Sequence, residues 1–162
     1  MNDKFDSDAF RNVCGLWASG VSIVTTIDKS GRPFGLTMNA VSSLSLAPPM
    51  MLVCVDDGSD TLVPILESNL FCINVLSAPQ QSISNTFAKK GSDKFENVDW
   101  KVGEYGTPLI QGSVVSIECA VKHVYEGGDH KIVCGLVKKW NIDDKNTEPL
   151  LYFGGSYQKF QS

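Results

Sequence analysis

The chain has 162 residues, of which 43% are hydrophobic and 20% charged, and this composition excludes a disordered tail, a coiled coil and a fibre. A formal net charge of −4 argues against a broad nucleic-acid-binding surface. From Pro33 to Val55 no residue is charged, but the serines and paired prolines of this stretch argue against a membrane span.

The first predicted elements are a short amphipathic helix and three strands. Ser7 is a plausible helix N-cap, and apolar residues up to Trp17 fall on one helical face. β-Branched residues predict a strand from Val21 to Ile27, and a second strand runs from Phe34 toward Leu46. The apolar run from Met50 to Val55 predicts a strand buried on both faces.

Two further helices are predicted, over residues 61–68 and 79–90, with a strand over 70–76 between them. No repeat or linker divides the sequence. We therefore expect a single domain over residues 1–162, with residues 1–7 as a flexible N-terminus.

Residues 113–142 form the clearest predicted hairpin. A two-residue turn at Gly127-Gly128 would place Tyr125 opposite His130 and His123 opposite Ile132. The strands come as hairpins rather than as βαβ units, so we predict a mainly β fold, a closed antiparallel barrel with short peripheral helices.

Five cysteines form no CxxC pair and no Cys/His cluster. This pattern indicates free thiols in a reducing compartment, the cytoplasm, and predicts no metal site. The polar, acidic residues 1–9 do not resemble a secretory signal. The sequence contains no GxGxxG, P-loop, GxSxG or HExxH motif.

Within the uncharged stretch, alternate residues of the predicted strand fall on opposite faces, which predicts one face toward the core and one neutral polar face. Leu36, Met38, Ala40, Leu44 and Leu46 fall on the first, and Thr37, Asn39, Val41, Ser43 and Ser45 on the second. The polar face suits a neutral, planar, heteroatom-rich ligand such as the edge of a flavin ring. It equally suits a sheet face that packs against a partner subunit.

An ordered set of motifs resembles one family over residues 8–160. The motifs are Gly20–Thr26, Gly31–Ser45, Pro48-Pro49, Phe71–Leu76, Phe87-Ala88, Asp93-Lys94-Phe95, Trp100, Gly127–His130 and Pro149–Tyr152. Together they resemble the short-chain flavin reductase family. The resemblance implies a split antiparallel β-barrel that binds FMN or FAD and usually dimerises. Such proteins oxidise NADH or NADPH, and many supply reduced flavin to a separate monooxygenase.

The resemblance also implies which residues bind the cofactors. They comprise a segment at the flavin ring, two serines toward the ribityl chain, a strand end bordering the flavin, and a segment near its phosphate. In that order these are Thr37, Met38, Asn39 and Ala40; Ser42 and Ser43; Cys54, Val55 and Asp56; and Phe87, Ala88 and Lys89. His130 is implied to contact the nicotinamide nucleotide. No catalytic acid or base is expected, because transfer of a hydride between two cofactors requires none.

Some of these residues also have simpler, purely structural interpretations. Lys89 closes a predicted helix, where a cation is favourable regardless of function. His130 on its own is typical of an exposed or structural histidine, and His123 is predicted to pack in the core. Asp56 and Asp57 depart from the commoner family pattern, since two acids that faced a phosphate-bearing ligand would be unfavourable.

Two other functions also fit the sequence. One is a flavin-binding or electron-carrier protein of the same fold without reductase turnover. The other is an enzyme resembling pyridoxamine-phosphate oxidase, although the chain has few basic residues for its phosphate sites. A short barrel offers limited depth for two bulky cofactors, so we expect a homodimer. The choices between FMN and FAD and between NADH and NADPH stay open.

Overall fold

A computed structural model describes residues 6–91, 93–143, 145 and 148–160. Its helices are α1 (Ser7–Gly15), α2 (Leu62–Ser68) and α3 (Gln81–Phe87), with a 3₁₀ turn, Ala78–Gln80, before α3. The strands are β1 (Ser19–Gly20), β2 (Ser22–Ile27), β3 (Pro33–Met38), β4 (Val41–Leu46), β5 (Pro49–Asp56), β6 (Leu70–Val75), β7 (Trp100–Val102), β8 (Pro108–Ile110), β9 (Val115–Glu126), β10 (His130–Ile142), β11 (Leu151–Phe153) and β12 (Ser156–Gln158). Across the described residues, no helix has the length and apolar character needed to cross a bilayer.

Seven strands form one antiparallel sheet in the order β3-β2-β6-β9-β10-β5-β4. Strands β3 and β4 are its two edges, yet only Asn39 and Ala40 separate them in sequence. Consecutive Cα atoms lie 3.8 Å apart, so this link spans about 11 Å at most. The sheet must therefore curl until its edges approach each other, and the barrel is split between them. This confirms the predicted mainly β, split-barrel fold.

The stretch from Phe34 to Leu46, predicted as one strand, is instead the two edge strands. Its alternation is interrupted at Asn39 and Ala40, and again by an irregularity in β4 between Ser43 and Ser45. The prediction that Leu44 and Leu46 face the core is consequently wrong: they are 46% and 93% exposed.

Two smaller sheets complete the fold. Strands β1, β11 and β12 form one, and β7 and β8 form the other. The larger core fills the barrel around Val53, Val55 and Phe71. Strands β11 and β12 form the C-terminal hairpin. A second core, which includes Ile23 and Phe87, lies where β2, α3 and this hairpin meet. This second core positions α3 against the end of β3.

The β9–β10 hairpin is present, but its predicted register is wrong by two residues. The central turn residues are Gly128 and Asp129, and Gly128 has a φ of +81°. Tyr125 lies opposite Ile132 rather than His130. Glycine at the first central position suits a turn that requires positive φ there, and Gly127 and Gly128 both meet this requirement, so the sequence alone allows either register. Near this turn His123 is exposed, not packed in the core.

The N-terminal helix also differs from the prediction. Its N-cap is Asp6, whose carboxylate accepts hydrogen bonds from the backbone amides of Asp8 and Ala9. Ser7 is the first helical residue and is not the cap. Of the predicted flexible terminus, residues 1–5 lie outside the described part of the chain. The large apolar side chains of the helix, Phe10 and Val13, are more than half exposed, and so is Trp17, which follows it.

Candidate functional site

A cavity of about 220 Å³ opens at the split of the barrel. Thr37, Met38 and Asn39 form one wall, at the end of edge strand β3, and Ser84 and Ala88 form a second. The remaining lining residues are Val21, Tyr152 and Tyr157. None of these residues is charged, so the cavity wall offers hydrogen-bonding groups without a formal charge. This combination suits a neutral, planar, heteroatom-rich ring.

The first two walls are joined through one carbonyl group. The Thr37 hydroxyl donates to the backbone oxygen of Ser84 over 2.6 Å, and the same oxygen accepts the Ala88 amide over 3.0 Å. Because a hydroxyl carries one proton, Thr37 can only accept a hydrogen bond from a ligand. Asn39 is exposed and makes no side-chain hydrogen bond to another described residue, so its amide can both donate and accept.

A second group of predicted residues lies along β5. The amide of Cys54 donates to the carbonyl of Ala40 over 3.0 Å, which fixes the barrel link against this strand. Asp56 ends β5 directly opposite His130, the first residue of β10. Strand β5 therefore extends from the backbone of Ala40, beside the cavity, to His130 at the β9–β10 turn.

His130 is oriented by its neighbour. Its Nδ1 lies 2.7 Å from Oδ1 of Asp129, and this hydrogen bond lowers the pKa of Asp129 below its ordinary value. An ionised carboxylate can only accept, so Nδ1 carries the proton and Nε2 is left for a ligand. Lys131 adds a positive charge beside this turn, paired with Glu126 over 2.6 Å and with Asp57 over 3.3 Å.

Other predicted site residues lie away from the cavity lining. Val55 and Phe87 are buried in the two cores, so their side chains are committed to packing. Ser42 is exposed on β4, and Ser43 lines an apolar groove beyond it. Lys89 is exposed just after α3. Of the twelve residues assigned to the flavin, the cavity lining includes Thr37, Met38, Asn39 and Ala88.

The sequence analysis did not identify Val21, Ser84, Tyr152 and Tyr157 as lining residues. Ser84 stands four positions before Ala88, a spacing that places both on one helical face. Tyr152 and Tyr157 lie directly opposite each other across the β11–β12 turn. The turn at Gly154-Gly155 was the sequence signal that could have paired the tyrosines.

Comparison with known proteins identifies the family. The model of the flavin reductase like domain matches residues 14–161. The chain belongs to this family. It is 36% identical over 158 residues to the reductase subunit HsaB of a flavin-dependent monooxygenase from Mycobacterium tuberculosis, covering 97% of the chain and 84% of that protein. It is also 38% identical over 155 residues to a probable flavin reductase of Rhizobium meliloti, covering 96% of the chain.

The chain spans about half of the Rhizobium meliloti protein (49%). Among solved structures it resembles the NADH:FAD oxidoreductase SgcE6 of Streptomyces globisporus in complex with NAD and FAD fragments. The TM-score is 0.92 at 36% identity, covering 99% of this chain and 96% of that one. The sequence-based family prediction is confirmed, and the predicted use of a flavin and a nicotinamide nucleotide agrees with these relatives.

Proposed function

We propose that this protein is an NADH-dependent flavin reductase that supplies reduced flavin to a separate monooxygenase. The main support for this proposal is the uncharged cavity at the barrel split, whose lining includes Thr37, Met38, Asn39 and Ala88. The names of the relatives, a monooxygenase reductase subunit and an NADH:FAD oxidoreductase, support it.

The residues present fit a flavin ring. Edge strand β3 pairs only with β2, so some backbone groups on its outer side have no strand partner and can bond a ligand. Asn39 adds a side-chain donor and acceptor, and Thr37 adds an acceptor. Bound flavin would supply the redox chemistry by accepting a hydride from the reduced nicotinamide. The chain's part is to hold the ring in a fixed orientation and to exclude water from it.

His130 is proposed to bind the nicotinamide nucleotide through Nε2. His130→Ala should raise the KM for NADH about tenfold and leave the flavin Kd unchanged, since one positioned hydrogen bond to the nucleotide is lost. The matched control is His123→Ala, an exposed histidine on the same hairpin, which should behave as wild type. A weaker flavin affinity with an unchanged KM for NADH would contradict this assignment.

The charges around His130 favour NADH over NADPH. Asp56, Asp57 and Asp129 lie at this turn, and Lys131 offsets only part of their charge. The extra phosphate of NADPH would approach these carboxylates unfavourably. We expect kcat/KM to be at least tenfold higher with NADH, measured with FAD and again with FMN. No oxidation of either nucleotide with either flavin would overturn the reductase proposal.

We further propose that the protein acts as a homodimer. The cavity's 220 Å³ is below the usual range for cofactor pockets, so a second subunit is needed to complete the site. An apolar groove of about 300 Å³ lies across β4, β5, β9 and β10, where Leu46 of β4 is 93% and Trp140 of β10 is 59% exposed. A second copy seated there would lie beside the link that lines the cavity.

Sedimentation of Leu46→Lys tests the dimer. This variant should be monomeric and should bind flavin weakly. Val63→Lys, which replaces an exposed apolar residue of helix α2 outside the groove, should remain dimeric. A wild-type monomer with full activity would refute the proposal.

We place the protein in the cytoplasm. All five cysteines are free thiols, and Cys72, Cys119 and Cys134 are buried. Burial raises the pKa of the Cys119 thiol to about 12, so this thiol is poorly reactive. Reduced thiols are the ordinary state of cysteines in that compartment.

A further inference from the structure

Ser84 joins three walls of the cavity. It is fully buried in α3, and its carbonyl accepts from Thr37 on β3 and from the Ala88 amide at the helix end. Its hydroxyl lies 2.9 Å from the hydroxyl of Tyr157 on β12. One residue thus connects the barrel edge, the helix and the C-terminal hairpin.

The hydrogen bond between Ser84 and Tyr157 has a defined direction. The Tyr157 hydroxyl donates to Oδ1 of Asn85 over 3.0 Å. A phenol carries a single proton, so in the other contact Ser84 must donate to the Tyr157 oxygen. The phenol is therefore held by two successive residues of α3.

This contact helps to determine where the third wall lies. The C-terminal hairpin is tied to the main sheet on its β11 side, where β11 pairs with β1 and Leu150 exchanges backbone hydrogen bonds with Val21 and Leu76. Strand β12 is one strand further out, and the hydroxyl of Tyr157 joins it directly to α3. Tyr157 packs edge-on against Tyr152, with ring centroids 5.5 Å apart, so a shift of one phenol carries the other cavity-lining ring with it.

We propose that Tyr157 is a positioning residue for the flavin, acting through Ser84. Its hydroxyl fixes the width of the cavity by holding the C-terminal hairpin against α3, and Ser84 transmits this position to Thr37. The inference rests on the proposed flavin site. It assigns to the hydroxyl a role in flavin affinity that is separate from the packing of the phenol ring.

Tyr157→Phe is the first test, because it removes the hydroxyl and keeps the ring. Titration of flavin fluorescence should show a Kd raised roughly 3- to 10-fold, because the hydroxyl's hydrogen bonds to Ser84 and Asn85 are both lost. The KM for NADH should not change. The matched control is Tyr105→Phe, the same deletion on a half-exposed ring remote from the cavity, which should bind flavin as wild type does.

A double-mutant cycle distinguishes this contact from a general loss of stability. Ser84→Ala should also raise the flavin Kd, and the double variant should be no worse than Tyr157→Phe alone, because Tyr157→Phe has already lost this contact together with the bond to Asn85. Additive losses, or a lower urea midpoint with an unchanged flavin Kd, would overturn the inference.

The same titration separates this inference from the proposed function. If the wild type binds flavin but does not oxidise NADH, the reductase proposal fails and the binding data still decide the role of Tyr157. If the wild type oxidises NADH and Tyr157→Phe binds flavin equally well, only the inference about Tyr157 fails. If the wild type binds no flavin, both are wrong.

Discussion

Glu118 is a fully buried carboxylate, and its replacement by glutamine should destabilise the protein strongly. Its Oε1 accepts the backbone amide of Glu104, and its Oε2 accepts the amide of Tyr105 and the hydroxyl of Thr107. These donors belong to the loop between β7 and β8. The carboxylate thus fixes this loop to the first third of β9, and a Cβ atom on Gly103 would collide with it.

The three hydrogen bonds set the expected magnitude. Hydrogen bonds to a charged group contribute about 1.5–3 kcal/mol each. Glutamine has the same shape but a single oxygen, so its amino group must face at least one of the three donors. One lost bond and two weakened bonds amount to roughly 3 kcal/mol. For a protein of this size, that loss lowers Tm by about 6–12 °C.

Urea unfolding of Glu118→Gln, followed by circular dichroism at neutral pH, measures this loss. The matched control is Glu104→Gln, whose side chain is 61% exposed and pairs with Lys139 over 3.2 Å. Removing that surface ion pair should cost less than about 1 kcal/mol. The reasoning is refuted if Glu118→Gln is as stable as wild type, because relief from burying a charge would then outweigh the lost bonds.

Two further predictions concern edge strand β3 and the turn that precedes it. Asp28 accepts hydrogen bonds from the Ser30 hydroxyl and, as the next largest cause, from the Arg32 amide, and these lower its pKa below the ordinary value of 3.8. The ionised carboxylate therefore stabilises the fold above pH 3.8, and this contribution is lost as the pH falls through the lowered pKa of the folded state. Asp28→Asn should therefore lower the urea midpoint at pH 7 but not in strong acid; an equal loss at both pH values would contradict this. Gly35→Ala should cost about 1–3 kcal/mol and raise the KM for flavin, because its Cβ would lie 2.7 Å from the buried ring of Phe87. If Gly35→Ala had the same Tm as the wild type, the Phe87 ring would be able to move away without cost, and this prediction would be wrong.

The β9–β10 hairpin shows what sequence pattern can and cannot determine. Two adjacent glycines allow a turn at Gly127-Gly128 or at Gly128-Asp129, and the resulting registers differ by two residues. An even shift keeps every side chain on its own face, so hydrophobic alternation cannot distinguish the two. The irregularities further along the pair, at Cys134/Gly135 and Val137/Lys139, depend on the curl of the whole sheet.

The candidate site was only partly predictable for a related reason. Thr37, Met38 and Asn39 are consecutive, so a motif could identify them together. Ser84 and Tyr157 reach the cavity from distant parts of the chain, and tertiary contacts alone bring them there. Local alternation also predicted a buried Leu46, whose exposure depends on the curl of the edge strands.

The split barrel has a consequence for the solubility of the protein. Unpaired edge strands are where sheets of different molecules join during aggregation. Here the curl turns both edges toward the same side, and the proposed flavin site occupies the outer side of β3. A ligand bonded to that edge would block another strand from pairing with it. The flavin-saturated protein should therefore scatter less light on heating than the same protein without flavin, and flavin added during refolding should raise the yield of soluble protein.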